Sequence, residues 1–167
     1  MSQTGESTEH PRVTAFRALL ERRHATGTIV VLPDSVHTAQ LAADALGCEV
    51  GAIANSLLFA ATSDGSEDTP VLLLTSGAHR VDTDKVARDL GYGALRRAHK
   101  DFVAQHTGQV IGGVSPIGHP GKVPTYLDPA LRKYHVIWAA AGHPAAVFCT
   151  NYDELLRLTD ATELEMN

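Results

Sequence analysis

Behind Pro11, the apolar positions Val13, Phe16, Leu19 and Leu20 recur at helical spacing, which predicts a helix that takes the proline in its first turn and ends near Gly27. The next run, Thr28 to Leu32 (TIVVL), is short, β-branched and closed by Pro33, the pattern of a strand. Thr38 then stands as N-cap of a helix carrying Leu41, Ala42, Ala45 and Leu46, with Gly47 available for the left-handed position after it. Two apolar runs, Ser56 to Ala60 and Val71 to Thr75, flank the turn-rich TSDGSEDTP and predict an antiparallel hairpin with an exposed tip. Asp82 caps a further helix with Val86 and Leu90 inward and Gly91 as its stop.

A short strand at Ala94 to Arg97 and a short helix at Asp101 to Thr107 lead through Gln109-Val110-Ile111 into a glycine-rich loop, which Val123 to Leu127 follows. Asp128-Pro129 opens a one-turn helix to about Tyr134. HVIWAA and AAVFCT, around Gly142-His143-Pro144, read as hairpin strands. Thr150 to Asp153 has the spacing of a capping box before a last helix ending near Leu158. Hairpins interrupted by helices at irregular intervals lack the βαβ alternation of a doubly wound order. The expected fold class is therefore α/β, with a mixed, mostly antiparallel curved sheet, a partly closed barrel, and helices packed around it. Residues 1–9 read as a disordered tail and residues 10–167 as a single domain, the default for 167 residues.

Composition narrows the class of function. A formal charge of −5 argues against wrapping nucleic acid over the whole surface, although a local contact with a nucleic-acid end stays open. The basic groups Arg22-Arg23, Arg96-Arg97 with Lys100, and Arg132-Lys133 read as solvated surface. Cys48 and Cys149 lie far apart without metal-knuckle spacing and read as buried free thiols. The polar, acidic first residues do not resemble a secretory signal and no apolar run reaches membrane-span length, so a cytoplasmic location and no membrane partner are expected. His79, His99, His106, His119 and His135 show no paired-ligand spacing, so neither a metal nor a cofactor is expected.

The segment Gly112-Gly113-Val114-Ser115-Pro116-Ile117-Gly118-His119-Pro120-Gly121-Lys122 carries the clearest chemical signal. So much glycine costs backbone entropy unless the chain must take special dihedrals or bring amides close to a ligand. It reads either as a ligand loop lining a small-molecule pocket or as a wide structural turn. It matches neither G-x-G-x-x-G nor the P-loop, and Ser115 lacks a G-x-S-x-G elbow. His37, beside the Thr38 cap, is placed to face such a pocket.

These residues resemble the YbaK and prolyl-tRNA-synthetase-associated editing domains. The resemblance runs in order from Leu32 to Leu158, through Thr38-Ala39, Leu46-Gly47, Asn55-Ser56-Leu57-Leu58-Phe59, Pro70 to Leu74, and Ser76-Gly77. It continues through Asp82, Lys85-Val86, Leu90-Gly91, Gly112 to Gly118 and Val123-Pro124-Thr125. It implies a trans-editing deacylase, without metal, that hydrolyses the ester of mischarged aminoacyl-tRNA, with tRNA-Pro carrying a small amino acid as the substrate expected. The partners implied are the tRNA acceptor end and prolyl-tRNA synthetase. The implied catalytic residues are Asn55, Gly112 and His143; the implied substrate-binding residues are His37, Ser56, Gly113, Val114, Ser115 and Pro116. The family's lysine falls at Asn55, which keeps hydrogen-bond donors but loses the charge. Two alternatives follow: a non-catalytic binding protein of the same fold, and hydrolysis of another small acyl ester or amide.

Overall fold

The computed structural model describes residues 9–33, 36 and 38–167; His37 and residues 1–8 of the expected tail lie outside the described residues. Glu9, assigned to that tail, accepts hydrogen bonds from Thr14 and Arg17.

Helix α1 (Pro11–Arg22) begins as expected, with His10 as its cap: the Arg12 amide donates to His10 Nδ1 at 3.1 Å. It ends earlier than Gly27. His24 takes the left-handed conformation (φ 56°) and the Ala25 amide bonds back to the Leu20 carbonyl at 2.9 Å, the closure usually made with glycine. Arg157 secures that exit by donating to the Arg23 and His24 carbonyls. Gly27 has a different task, because a Cβ there would lie 1.6 Å from the Cys149 carbonyl oxygen; the chain enters β1 (Ile29–Val31) against the backbone of another strand. Helix α2 (Ala39–Leu46) has Thr38 as N-cap and Gly47 in the left-handed region (φ 69°), as its sequence predicts.

Strands β2 (Ile53–Thr62) and β3 (Thr69–Ser76) form the expected hairpin, in continuous register from Ala54 opposite Ser76 to Ala61 opposite Thr69. Helix α3 (Thr83–Leu90), strand β4 (Ala94–Arg97) and helix α4 (Lys100–Thr107) follow. Strand β5 (Thr125–Leu127), a 3₁₀ turn over Pro129–Lys133, and the hairpin of β6 (Ile137–Ala140) and β7 (Ala146–Thr150) complete the middle of the chain. Helix α5 (Tyr152–Thr159) is capped by Asn151, not by Thr150: the Glu154 amide donates to Asn151 Oδ1, while the Thr150 hydroxyl donates to the buried Glu154 carboxylate. A last strand, β8 (Thr162–Glu163), has no apolar pattern of its own and was not predicted.

The sheet runs β1-β7-β6-β2-β3-β5-β8, with β4 also paired to β2. It is mixed and mostly antiparallel, with β2/β6, β3/β5 and β5/β8 parallel. It stays open, with β1 and β8 at its ends. The two-residue period of β2 and β3 sorts their side chains between two cores. Ala54, Leu58, Leu72 and Leu74 pack with Phe16 and Leu20 of α1 and Leu155 of α5, whereas Phe59, Ala61, Val71 and Leu73 pack with Val86 and Ala87 of α3. Both cysteines are free, but half-buried rather than buried.

Candidate active site

The site begins as a gap in the sheet. One edge of β2 is paired with β3 throughout; the other edge is shared, meeting β6 at Ile53 and Ala54 and β4 only from Phe59 onward. Between them, Asn55 to Leu58 pair with no strand on that side. The Ile53 carbonyl accepts from Gly77 on the β3 side and the Leu58 carbonyl accepts from Ala98 on the other. Strand alternation therefore turns the main-chain N–H and C=O of Ser56 toward the gap. A cleft of about 630 Å³ fills it, within the range of small-molecule sites.

Asn55, Ser56, Gly112, Val114 and His143 all line this cleft. The Asn55 side chain makes no hydrogen bond to the described protein, and Ser56 Oγ is buried without a partner. His143 sits in the β6–β7 turn. Its Nδ1 accepts from the Ala145 amide at 3.0 Å, so the neutral ring carries its proton on Nε2, and the ring lies against His10 with centroids 4.5 Å apart.

The glycine-rich loop is both wall and turn. The Gly113 amide donates to the Val110 carbonyl and the Ser115 amide to Gln109 Oε1, whereas the amides of Gly112 (φ 84°) and Val114 have no acceptor among the described residues. Ser115 is fully buried. Its hydroxyl donates to the Ile117 carbonyl and accepts from Gln109 Nε2, both at 2.7 Å, and its carbonyl accepts from His119 Nε2 at 2.9 Å. Gly113, Ser115 and Pro116 are thus buried behind the lining and shape the loop from within.

Burial holds the His119 imidazole below its ordinary value of 6.5, against the raising effect of the Ser115 carbonyl. The unfolded chain then binds this proton first, so stability is full above about 6.5 and falls as pH drops through that value toward the folded one. Thermal melts between pH 8 and 5 (about the range over which an unfolded imidazole titrates) are expected to show this fall, and His119→Gln, which keeps a donor for Ser115, to reduce it. An unchanged pH slope in the variant would sink the assignment.

Arg97 is exposed, as the sequence suggested, and it also lines the cleft, the one formally charged side chain to do so among the described residues. It forms no ion pair there, while its neighbour Arg96 pairs with Asp68 at 2.9 Å. The signal was present in the strand period, which puts Arg97 on the face of the buried Leu95 rather than with Arg96. Ile111, at the entry to the glycine-rich loop, and Trp138, which sequence reasoning missed, supply apolar wall.

Residues 33–158 match the aminoacyl-tRNA editing domain. The chain belongs to this family. The editing domain is 29% identical over 129 residues to a candidate Cys-tRNA(Pro)/Cys-tRNA(Cys) deacylase, EbsC of Enterococcus faecalis, covering 77% of this chain and 76% of that one. It is 31% identical over 105 residues to the uncharacterized YwhH of Bacillus subtilis, covering 63% of this chain and 64% of that protein's length. Among solved structures it resembles one described as a candidate trans-editing enzyme for prolyl tRNA synthetase, with TM-score 0.85, 39% identity, and coverage of 96% of this chain and 99% of the other. Among the described residues no helix is long and apolar enough to cross a membrane, and no group of three or more His, Cys, Asp or Glu could hold a metal ion.

Proposed function

We propose that this editing domain is a trans-acting deacylase that hydrolyses the ester between a small, wrongly attached amino acid and the 3′ end of a tRNA, with tRNA-Pro as the first candidate. The observation that carries this reading is the gap in the β2 edge, where one cleft is lined by Asn55 and Ser56 and by Gly112 and Val114, whose amides have no acceptor among the described residues. The similarity to the trans-editing structure and to EbsC favours tRNA-Pro, and prolyl-tRNA synthetase is the protein partner to test.

In this mechanism water attacks the ester carbonyl. The tetrahedral oxyanion is met by the amides of Gly112 and Val114, a stabilisation worth on the order of 3 kcal/mol per well-aimed donor. The C–O bond to the ribose then breaks, the ribose oxygen takes one proton of the water, and the amino acid leaves as its carboxylate with release of the other. His143 acts as a donor through Nε2–H, since its Nδ1 is already engaged by Ala145, and so orients water or the carbonyl rather than removing a proton. Asn55 fixes the carbonyl or the ribose. Arg97 supplies the positive charge that the family's lysine would have brought at position 55. Selectivity comes from size exclusion, as in double-sieve editing.

The neutral Asn55 also keeps the binding-protein reading in play, and one experiment separates the two. The unmodified protein is expected to deacylate at least one of tRNAs charged with Ala, Ser, Thr, Cys or Pro, and His143→Ala and Arg97→Ala to slow it about 10- to 100-fold each. No hydrolysis of any substrate, with activity appearing only in Asn55→Lys, would leave a binding role.

A further inference from the structure

A second concavity of about 570 Å³ lies behind the glycine-rich loop, and no step of the deacylation uses it. One wall is a single stripe of α1 that carries Arg12, Leu19, Arg22 and Arg23; the facing wall includes Gln109 and His119. No Asp or Glu lines it, in a chain of formal charge −5. The acid nearest the start of α1 serves another face, where Glu9 pairs with Arg17. Arg12 and Arg23 meet only the carbonyls of Gly108 (3.5 Å) and Leu158 (3.3 Å), Arg22 meets no partner, and none of the three forms an ion pair among the described residues.

The groove adjoins the cleft across the Gly142-His143 backbone. Gly142 borders the groove and His143 the cleft, His10 at the head of α1 lies against His143, and a Cβ on Gly142 would stand 3.3 Å from the Arg12 carbonyl. From Arg12 the stripe leads away from the cleft rim for about 15 Å of helix, long enough to meet several successive backbone phosphates. Isolated surface arginines usually face water alone. Three that share one concave wall without an acid, beginning at the rim of a cleft for a nucleic-acid end, describe a polyanion track.

We propose that this groove binds the phosphodiester backbone of the RNA acceptor arm whose 3′ end occupies the cleft, with Arg12, Arg22 and Arg23 on phosphates. The identity of the RNA rests on the deacylase reading; the groove itself is tested by binding alone. Fluorescence anisotropy with a labelled, uncharged tRNA-Pro acceptor-arm hairpin, titrated over a salt series, is the measurement. Arg22→Gln/Arg23→Gln is expected to weaken binding about 10-fold near 0.1 M salt and to lower the slope of log affinity against log salt by about 2. Arg22→Gln alone, which removes no contact within the protein, is expected to lower the slope by about 1, and Arg88→Gln on α3 to leave it unchanged. Hydrolysis of an aminoacyl ester of adenosine is expected to be the same in all of these. Absence of hairpin binding by the unmodified protein, or an unchanged affinity and slope in the double variant, would overturn the proposal. Arginine-dependent RNA binding without hydrolysis of any ester would overturn the deacylase reading and leave the groove standing.

Discussion

Asp128→Ala is expected to destabilise the protein by about 4 kcal/mol. Its carboxylate is 2% exposed and accepts four hydrogen bonds: from the Ser76 amide (3.1 Å), the Thr75 hydroxyl (3.4 Å), His79 Nδ1 (2.9 Å) and the Ala130 amide (3.0 Å). Alanine would strand the buried Ser76 and Thr75 donors, at roughly 1 to 3 kcal/mol each, and would remove the cap of the following turn, worth about 1 kcal/mol. Asp128→Asn keeps an acceptor for Ala130 but brings an NH₂ group against the other donors, so an intermediate loss is expected. Urea unfolding of the three proteins is the check, and a loss under about 1 kcal/mol in the alanine variant would contradict this reading of the network. The end of β3 that this carboxylate secures adjoins Gly77, whose amide holds the Ile53 carbonyl where β2 enters the cleft.

The largest effect on activity is expected from Gly113→Ala. A Cβ at this position would stand 2.8 Å from Pro144 Cδ and 2.9 Å from the Pro144 backbone nitrogen, so the glycine-rich loop must move away from the His143-Pro144 turn. The amides of Gly112 and Val114 travel with the loop. Donors displaced by even a fraction of an ångström lose much of their hold on an oxyanion, and a loss of about 100-fold in kcat/KM is expected, with kcat carrying most of it. Gly113 is buried and part of the clash is with backbone, so the melting temperature is expected to fall as well. Single-turnover deacylation beside a thermal melt tests both halves, and full activity in the variant would remove the loop amides from the mechanism.

Not all of the candidate site was legible in the sequence. Asn55, Ser56, Gly112, Val114 and His143 converge on one cleft, and the resemblance to editing domains names all five, on three separate segments. Ser115 was named for the same wall but lies behind it, because Gln109, six residues earlier, takes both its amide and its hydroxyl. That side-chain bridge leaves no periodic trace. Arg97 and Arg22-Arg23 are exposed, as read from the sequence, but a basic pair in a sequence says nothing of what concavity it borders.

The helix and strand segments follow from the sequence by itself because their causes are local. Thr38, Asp82 and Asp128 cap the turns that follow them, Gly47 and Gly91 supply the left-handed stops, and the alternation along β2 and β3 fixes which residues face which core. The early end of α1 escaped because His24, not a glycine, takes the left-handed position. Only the tertiary structure decided that β2 divides one edge between β6 and β4, that β3 and β5 pair in parallel, and that α1 begins beside His143. These depend on backbone groups and side chains that meet across long stretches of chain, where no short-range pattern constrains them, and both the cleft and the arginine groove exist only once those meetings are made.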